Sequence, residues 1–452
     1  MILKNIMITP EIRKNFIFYI LIIFSIATIT SLSSNTEDLL NNNLIKNTLY
    51  ENILFLKSTL PILIFLCLIL ITVIKFKKNI LINNSFIFIL FFVLILLQII
   101  GTIFNPQNNI KNLYYIIPTI NIMIISLKFS LISDNKFLRF YLNVNLIVFF
   151  LILLYFFFLY FKTYLEFDND FYTLWGSIKN NEAVPRPTGL ARLAMIFSAY
   201  FLCRYLFQKK NLFLLIFFNY LIFAFQSRVV ILALLFISLL FILIKEKCSI
   251  IKAFKYLILI FIIPFFINTF INYSKRVILF NDHNSHFFKD ERTISKFNFF
   301  KDERTISKFT KNDLEKFTSL RSRDWGNILI KYEKERVFGY GIHGDRILIN
   351  QIASNGFLYS LVSGGYFAAI IYCIICIYAT FLLNLVLLKK KFEQYSWFAS
   401  SMIIFFLIRS LVENSFTILS FDFIIFFSSV FYLEKFFFNK SKFKIKPKIV
   451  FK

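Results

Sequence analysis

The stretch "NLFLLIFFNYLIFAFQSRVVILALLFISLLFILIKEK", Asn211 to Lys247, decides how the rest of the chain is threaded. It reads either as one apolar feature or as two antiparallel segments that begin near Leu212 and Val229, with "FAFQSRVV" (223 to 230) as the turn between them. The charged segments outside it choose between the two. "KFKK" (75 to 78), "SDNKFLR" (133 to 139), "QKK" (208 to 210), "KEKCSIIKAFK" (245 to 255), "KKK" (389 to 391) and the C-terminal "NKSKFKIKPKIVFK" alternate with acid-bearing loops such as "NTEDLL" and "EFDND". Basic loops lie preferentially on the cytoplasmic side of a membrane. With two segments in 212–244 this alternation is kept; with one, everything downstream inverts and the basic loops contradict it.

The same reading extends to the whole chain. Of 452 residues 58% are hydrophobic, and they come in long unbroken blocks rather than in alternating or amphipathic patterns. Since a span needs about 20 apolar residues, twelve candidates emerge, beginning near Phe16, Thr59, Phe86, Leu113, Leu142, Leu190, Leu212, Val229, Tyr256, Phe357, Trp397 and Phe416. The expected fold is therefore all-α, a polytopic integral membrane protein of about twelve transmembrane helices with both termini in the cytoplasm. The formal charge of +26 would point to nucleic acid in a soluble protein. Here the cations fall between apolar blocks and serve as topology signals, so no nucleic-acid partner is expected. Four of the five cysteines, Cys67, Cys203, Cys373 and Cys376, fall inside apolar segments, which implies neither a disulfide framework nor a metal site. No cleavable signal peptide is read after the first apolar block, and no cofactor is expected.

This threading divides the chain into a membrane part at 1–270 with nine spans and an external loop at 162–189, a large external loop at 271–355, three spans at 356–434, and a basic tail at 435–452. A connection as long as 271–355 is expected to be functional, with short helices of its own. Within it "FFKDERTISKF" occurs twice in tandem, at 287–297 and 299–309. A step of 12 residues turns a helix by about 120°, so the second copy does not continue the face of the first. The repeat reads as a duplication at a tolerant loop tip, not as a repeat architecture.

Polar residues gather at the outer ends of the expected helices. In "VPRPTGLARLAM" (184 to 195) two prolines stiffen the chain around Arg186, with Arg192 a few residues inside the next span. Arg228 stands at the outer end of the hairpin; an arginine at membrane depth costs roughly 2.5–3.5 kcal/mol and calls for a partner or for snorkelling. "SLRSRDWGNILIKYEKERVFGYG" carries Arg321, Arg323 and Trp325 on one helix and runs into a glycine turn. Beyond that turn lie His343, Asp345, Arg346, Ser354 and Asn355, and Gly364-Gly365 interrupts the following span. In "IRSLVENSF" Arg409 and Glu413 are four apart and share a helix face, as an internal ion pair would. Gly339, Gly341 and Gly344 spell a dinucleotide fingerprint, but the charged "KYEKERVF" before them is no buried strand, so nucleotide binding is rejected.

In this order, on a twelve-span frame, Arg186-Pro187-Thr188-Gly189, Ser227-Arg228, Arg321…Trp325, Gly339-Tyr340-Gly341, Ser354-Asn355 and Gly364-Gly365 resemble the family of bacterial O-antigen ligases and O-antigen polymerases. The resemblance covers roughly Val184 to Tyr372. It implies transfer of a glycan from an undecaprenyl pyrophosphate donor to an acceptor hydroxyl on the periplasmic face of the inner membrane. The acceptor is a lipid A core sugar for ligases and another lipid-linked repeat for polymerases. Arginines bind phosphate oxygens bidentately and keep their charge, so Arg186 and Arg228 are assigned to the departing pyrophosphate. Arg192, Arg321, Arg323, Asp345, Arg346, Arg409 and Glu413 are assigned to substrate binding. The resemblance places Ser354 and Asn355 in the reaction space, with one departure: ligases of the family carry histidine where this chain has Ser354. The histidine in this region is His343, eleven residues earlier, which takes a catalytic role only if the loop folds back.

The missing histidine favours a polymerase over a ligase. A flippase or exporter of lipid-linked oligosaccharide is the competing reading, and a non-catalytic partner in glycan assembly is a third. Transporters keep polar residues near the midplane and often show internal repeats; this chain has few charges within its apolar blocks and one lopsided external loop. Sugar identity, linkage, oligomeric state and a chain-length regulator protein as partner stay open at this stage.

Overall fold

The computed structural model describes residues 62–68, 85–105, 116–117, 119–121, 124, 150, 187–225, 227–245, 250–271, 321–332, 337–349, 353–389, 393–417 and 421–438. Every regular element among them is helical. The helices are α1 (Phe86–Phe104), α2 (Pro187–Gln208), α3 (Leu212–Ala224), α4 (Arg228–Lys245), α5 (Ile250–Leu257), α6 (Arg321–Lys331), α7 (Gly344–Ile349), α8 (Gly356–Lys389), α9 (Gln394–Ser410) and α10 (Phe421–Phe438). A π turn at Ile258–Ile262 continues α5, and the apolar stretch runs on to Ile271. The expected spans near Phe16, Leu113 and Leu142, most of the span near Thr59, loop 162–189 up to 186, the tandem repeat and the tail beyond 438 lie outside the described residues.

Among the described residues, five helices are long and apolar enough to cross a membrane: Phe86–Phe104, Gly189–Gln208, Arg228–Lys245, Phe254–Ile271 and Gly356–Leu388. The segment expected to begin near Leu212 is present as the shorter apolar helix α3. α3 has 13 residues, about 20 Å at 1.5 Å per residue, against a hydrocarbon core of about 30 Å. The expected start at Phe416 also shifts, because Ser415–Thr417 is a single 3-10 turn and α10 begins at Phe421. α9, with 17 residues, and α10, with Asp422, Glu434 and Lys435, are buried almost throughout. Helices shielded by their neighbours in this way need no continuous apolar surface of their own.

The reversal at 223–230 is present. Lys245 at the end of α4 places its ammonium 4.6 Å from the Phe207 ring at the end of α2. Phe207 and Phe241 both pack on Trp397, with ring centroids 5.4 and 4.5 Å away. Only Lys209–Asn211 separates α2 from α3, so α3 leaves the end to which α4 returns. Lys209, Lys210, Lys245 and Lys255 thus collect at one end of the bundle, where the Lys209 ammonium donates to the Tyr256 hydroxyl. At this end Glu434 also caps α1, its carboxylate accepting from Ser85 Oγ (3.1 Å), Phe86 N (2.8 Å) and Ile87 N (3.3 Å). A carboxylate suits the positive end of a helix, where the first N–H groups have no partner within the helix.

A polar link crosses the apolar interior between α2, α3 and the π turn. Asn219 of α3 donates from Nδ2 to Ile260 O in the π turn at 3.0 Å and accepts from Ser198 Oγ of α2. A π turn displaces carbonyls from the regular ladder, and the amide meets one of them. Around it Phe197, Phe201 and Phe218 stack with centroids 4.8 and 5.5 Å apart. Asn219→Leu is expected to leave Ile260 O and the Ser198 hydroxyl without this partner in an apolar setting, costing about 1–3 kcal/mol. A lowered unfolding temperature in detergent checks this.

Candidate functional site

The glycine turn and the glycine pair meet. In α8 the residue Gly365 has φ 77 and ψ −168, a break in an otherwise helical run. A break frees the carbonyls that the next turn would have bonded, and at membrane depth each needs a partner. Tyr340 N donates to Val362 O at 2.6 Å and Gly341 N to Ser363 O at 3.0 Å. The loop from Val337 to Ile342 therefore completes the broken helix with its own backbone. α1 closes the other side: Thr102 Oγ1 accepts from Ile342 N at 2.8 Å, and Asn105 Nδ2 donates to Tyr340 O at 2.8 Å. Close approach explains the glycines, since a Cβ on Gly101 would lie 2.3 Å from Phe338 O and one on Gly341 would lie 2.4 Å from Thr102 Cα.

At the same end of the bundle, opposite the lysines, charges converge. Arg409 of α9 donates to Asp422 Oδ2 of α10 and to Glu413 Oε2 in the turn between those helices. Arg192 of α2 donates to the same Asp422 oxygen at 2.9 Å. Asp422 is 1% exposed and Arg409 8%, so burial demands this pairing. Burial would raise the Glu413 carboxyl, but the charges of Arg409, then Arg192 and, more weakly, Arg321 outweigh it and hold the group below its ordinary value. Three guanidiniums thus face two carboxylates, and the cluster keeps a net positive charge. Asp422 Oδ1, Asn414 Nδ2 and Ser415 Oγ are buried there without hydrogen-bond partners, an unusual cost in a native interior.

The segment that follows the glycine turn sits on α8. His343 has φ 58, its N–H donates to Tyr359 OH at 3.3 Å, and burial followed by the nearby Arg346 charge pushes its imidazole down to about 3. In this position the ring is a weak proton acceptor. Asp345 is pushed up to about 6, chiefly by burial. Its Oδ2 accepts from Ala353 N at 2.8 Å and its Oδ1 from Arg346 N at 3.0 Å. Trp325 Nε1 of α6 donates to Ala353 O at 3.0 Å. Asn355 caps α8, accepting from Leu358 N at 3.0 Å, and donates from Nδ2 to Leu411 O at 2.9 Å, which ties this segment to the turn bearing Glu413.

Of the residues singled out in the sequence, Arg192, Arg321, Arg409 and Glu413 come together. Arg228 stands exposed at the start of α4, at this end of the bundle but in no contact with Asp422 or Glu413. Asp345, Ser354 and Asn355 lie along the loop-to-α8 connection with Arg346 beside them. Arg186 and the Arg323 side chain lie outside the described residues. The Arg409–Glu413 pair forms as expected but belongs to a larger set. The hub of that set, Asp422, was missed, although the signal was available: a lone acid within "SFDFIIFFSSVFYL" needs a partner inside a membrane. Among the described residues no three His, Cys, Asp or Glu side chains group as a metal site would require. No protein-family model, curated protein or solved structure matches this chain.

Proposed function

We propose that the chain is a membrane glycosyltransferase that polymerises or ligates an undecaprenyl-pyrophosphate-linked surface glycan, akin to O-antigen polymerases and ligases, with polymerase favoured. The observation that carries this reading is the convergence of Arg192, Arg321 and Arg409 on two carboxylates at the end of the bundle away from the lysines. In the transfer, an acceptor hydroxyl oxygen bonds to the anomeric carbon while the bond from that carbon to phosphate breaks, and the lipid pyrophosphate leaves with the electron pair. The hydroxyl proton passes to solvent or to the departing phosphate. Negative charge accumulates on the leaving group, where fixed guanidinium groups stabilise it most. Neither His343, pushed down to about 3, nor Ser354 supplies a strong base, so leaving-group stabilisation is the chemistry assigned to this site.

The positive-inside rule applied to Lys209, Lys210, Lys245 and Lys255 orients the arginines to the periplasm in a twelve-span frame of the bacterial inner membrane, with both termini cytoplasmic. The partners are then the lipid-linked donor, a glycan or lipid A core acceptor, and the bilayer. The test is purified protein in detergent with a short-chain lipid pyrophosphate oligosaccharide. Release of lipid pyrophosphate together with an elongated glycan is expected. Arg186→Ala and Arg228→Ala are each expected to lower the rate about 10²- to 10³-fold, the loss found on removing one charge-stabilising donor. Movement of the lipid across liposomes without bond cleavage would establish the flippase reading instead.

A further inference from the structure

The turn joining α7 to α8 is held more firmly than a connector requires. Both sides of the Ala353 peptide are gripped, its N–H by Asp345 Oδ2 and its carbonyl by Trp325 Nε1. The next residue, Ser354, stands at φ 44, a left-handed conformation that a serine keeps only when its surroundings over-determine it. Asn355 then passes the constraint on, because its amide bonds Leu411 O, two residues before Glu413. Hydrogen bonds at Ala353 and Asn355, joined by the backbone through Ser354, therefore link α6 and Asp345 to the turn that carries the arginine cluster.

We propose that Asp345 is a positioning residue: as a carboxylate it locks the Ala353–Asn355 turn, and through Asn355 the turn bearing Glu413, and on protonation it releases both. An ionised carboxylate accepts strongly at both oxygens, whereas protonation puts a donor on one of them and removes the negative charge. The bond from Ala353 N or from Arg346 N is then weakened. The groups on the packed elements are Arg321, Asp324 and Lys331 of α6, Tyr332 and Tyr340 behind it, His343 and Arg346 beside Asp345, and Tyr359 of α8. Arg346 is the charge that acts on Asp345. His343, at about 3, stays neutral through the window in which Asp345 titrates.

The sign of the coupling sets this proposal apart from a merely structural role. Burial places Asp345 at about 6, above its ordinary value of 3.8, so its contribution to stability is fully present below 3.8 and is lost as pH rises through about 6. At Asp345, acidification thus favours the folded state while it loosens the turn locally, so this residue's contribution to stability and the order of the turn respond to pH in opposite directions.

The chain has three tryptophans, and Trp325 reports on the turn directly. In full-length protein in detergent with Trp175→Phe and Trp397→Phe, Trp325 emission is expected to shift with a midpoint near pH 6. With Asp345→Asn the acidic spectrum is expected at every pH. Should the double replacement of Trp175 and of Trp397, which is buried, fail to fold, the difference between wild type and Trp325→Phe gives the same signal. No shift between pH 5 and 7.5, or a shift that survives Asp345→Asn, overturns the proposal.

The functional arm rests on the glycan-transfer reading. The rate with the lipid pyrophosphate oligosaccharide is expected to fall about tenfold one pH unit below the midpoint, and Asp345→Asn is expected to remove that acid limb. A Trp325 titration in a protein that transfers no glycan at any pH supports the latch and refutes the transferase reading. Transfer without an acid limb that Asp345→Asn removes refutes the positioning role and leaves the transferase standing.

Discussion

Arg409→Met is expected to lower stability by about 3–5 kcal/mol and to abolish glycan transfer, the largest effect of any single charge removal in the chain. The arginine bonds Asp422 with one terminal nitrogen and Glu413 with the other. Its removal leaves two carboxylates at the end of the bundle, one of them 1% exposed, and breaking a buried pair from one side costs far more than the pair contributes. Arg192, already bonded to Asp422 at 2.9 Å, relieves part of that charge but holds only the oxygen that Arg409 shared. A second change separates electrostatics from shape: Arg409→Met combined with Asp422→Asn is expected to recover more than half of the lost stability, a coupling that a double-mutant cycle isolates. Arg228→Met, exposed at the start of α4, is expected to leave stability within about 0.5 kcal/mol. Thermal unfolding in detergent, read alongside single-turnover transfer, checks all three, and an Arg409→Met protein as stable as wild type would sink the assignment of a buried hub.

The legible and illegible parts of this site differ in sequence distance. Arg409 and Glu413 could be paired from sequence because a helix brings positions four apart onto one face. Asp422 and Arg192 meet across 230 positions, and no periodicity carries that information. The same holds for the glycines. Gly339, Gly341 and Gly364-Gly365 announced turns because glycine doublets and alternations punctuate a chain. Gly101 is a lone glycine in "LQIIGTIF" and carried no such signal, yet a Cβ there would collide with both the glycine loop and the broken helix. Hydropathy located the start of α3. The Phe-rich run from Phe213 to Phe225 leads almost unbroken toward α4, and the structure shows α3 ending at Ala224 before α4 opens at Arg228.

Gly365→Ala is expected to cost about 3 kcal/mol or more and to expel the Val337–Ile342 loop from the bundle. At φ 77 and ψ −168 the backbone occupies a region that is essentially closed to residues with a Cβ, a strain of about 1–3 kcal/mol by itself. The contact is worse than the strain, because that Cβ would lie 1.8 Å from Val337 O. If α8 instead straightens to accept the alanine, Val362 O and Ser363 O return to the helix ladder and reject Tyr340 N and Gly341 N, which bond them now. Those two amides would then be left unpaired at membrane depth, each a further cost of about 1–3 kcal/mol. Gly341→Ala attacks the same junction from the α1 side, with φ 88 and a Cβ 2.4 Å from Thr102 Cα, and is expected to behave alike. Gly326 in α6 is the control: nothing lies within 4 Å of its would-be Cβ, so Gly326→Ala is expected to stabilise by up to about 1 kcal/mol through helix propensity. Protease cleavage within the loop separates the outcomes. Gly365→Ala and Gly341→Ala are expected to be cut rapidly and Gly326→Ala to resist as wild type does. Equal resistance in all four proteins would mean that the loop does not depend on the broken helix.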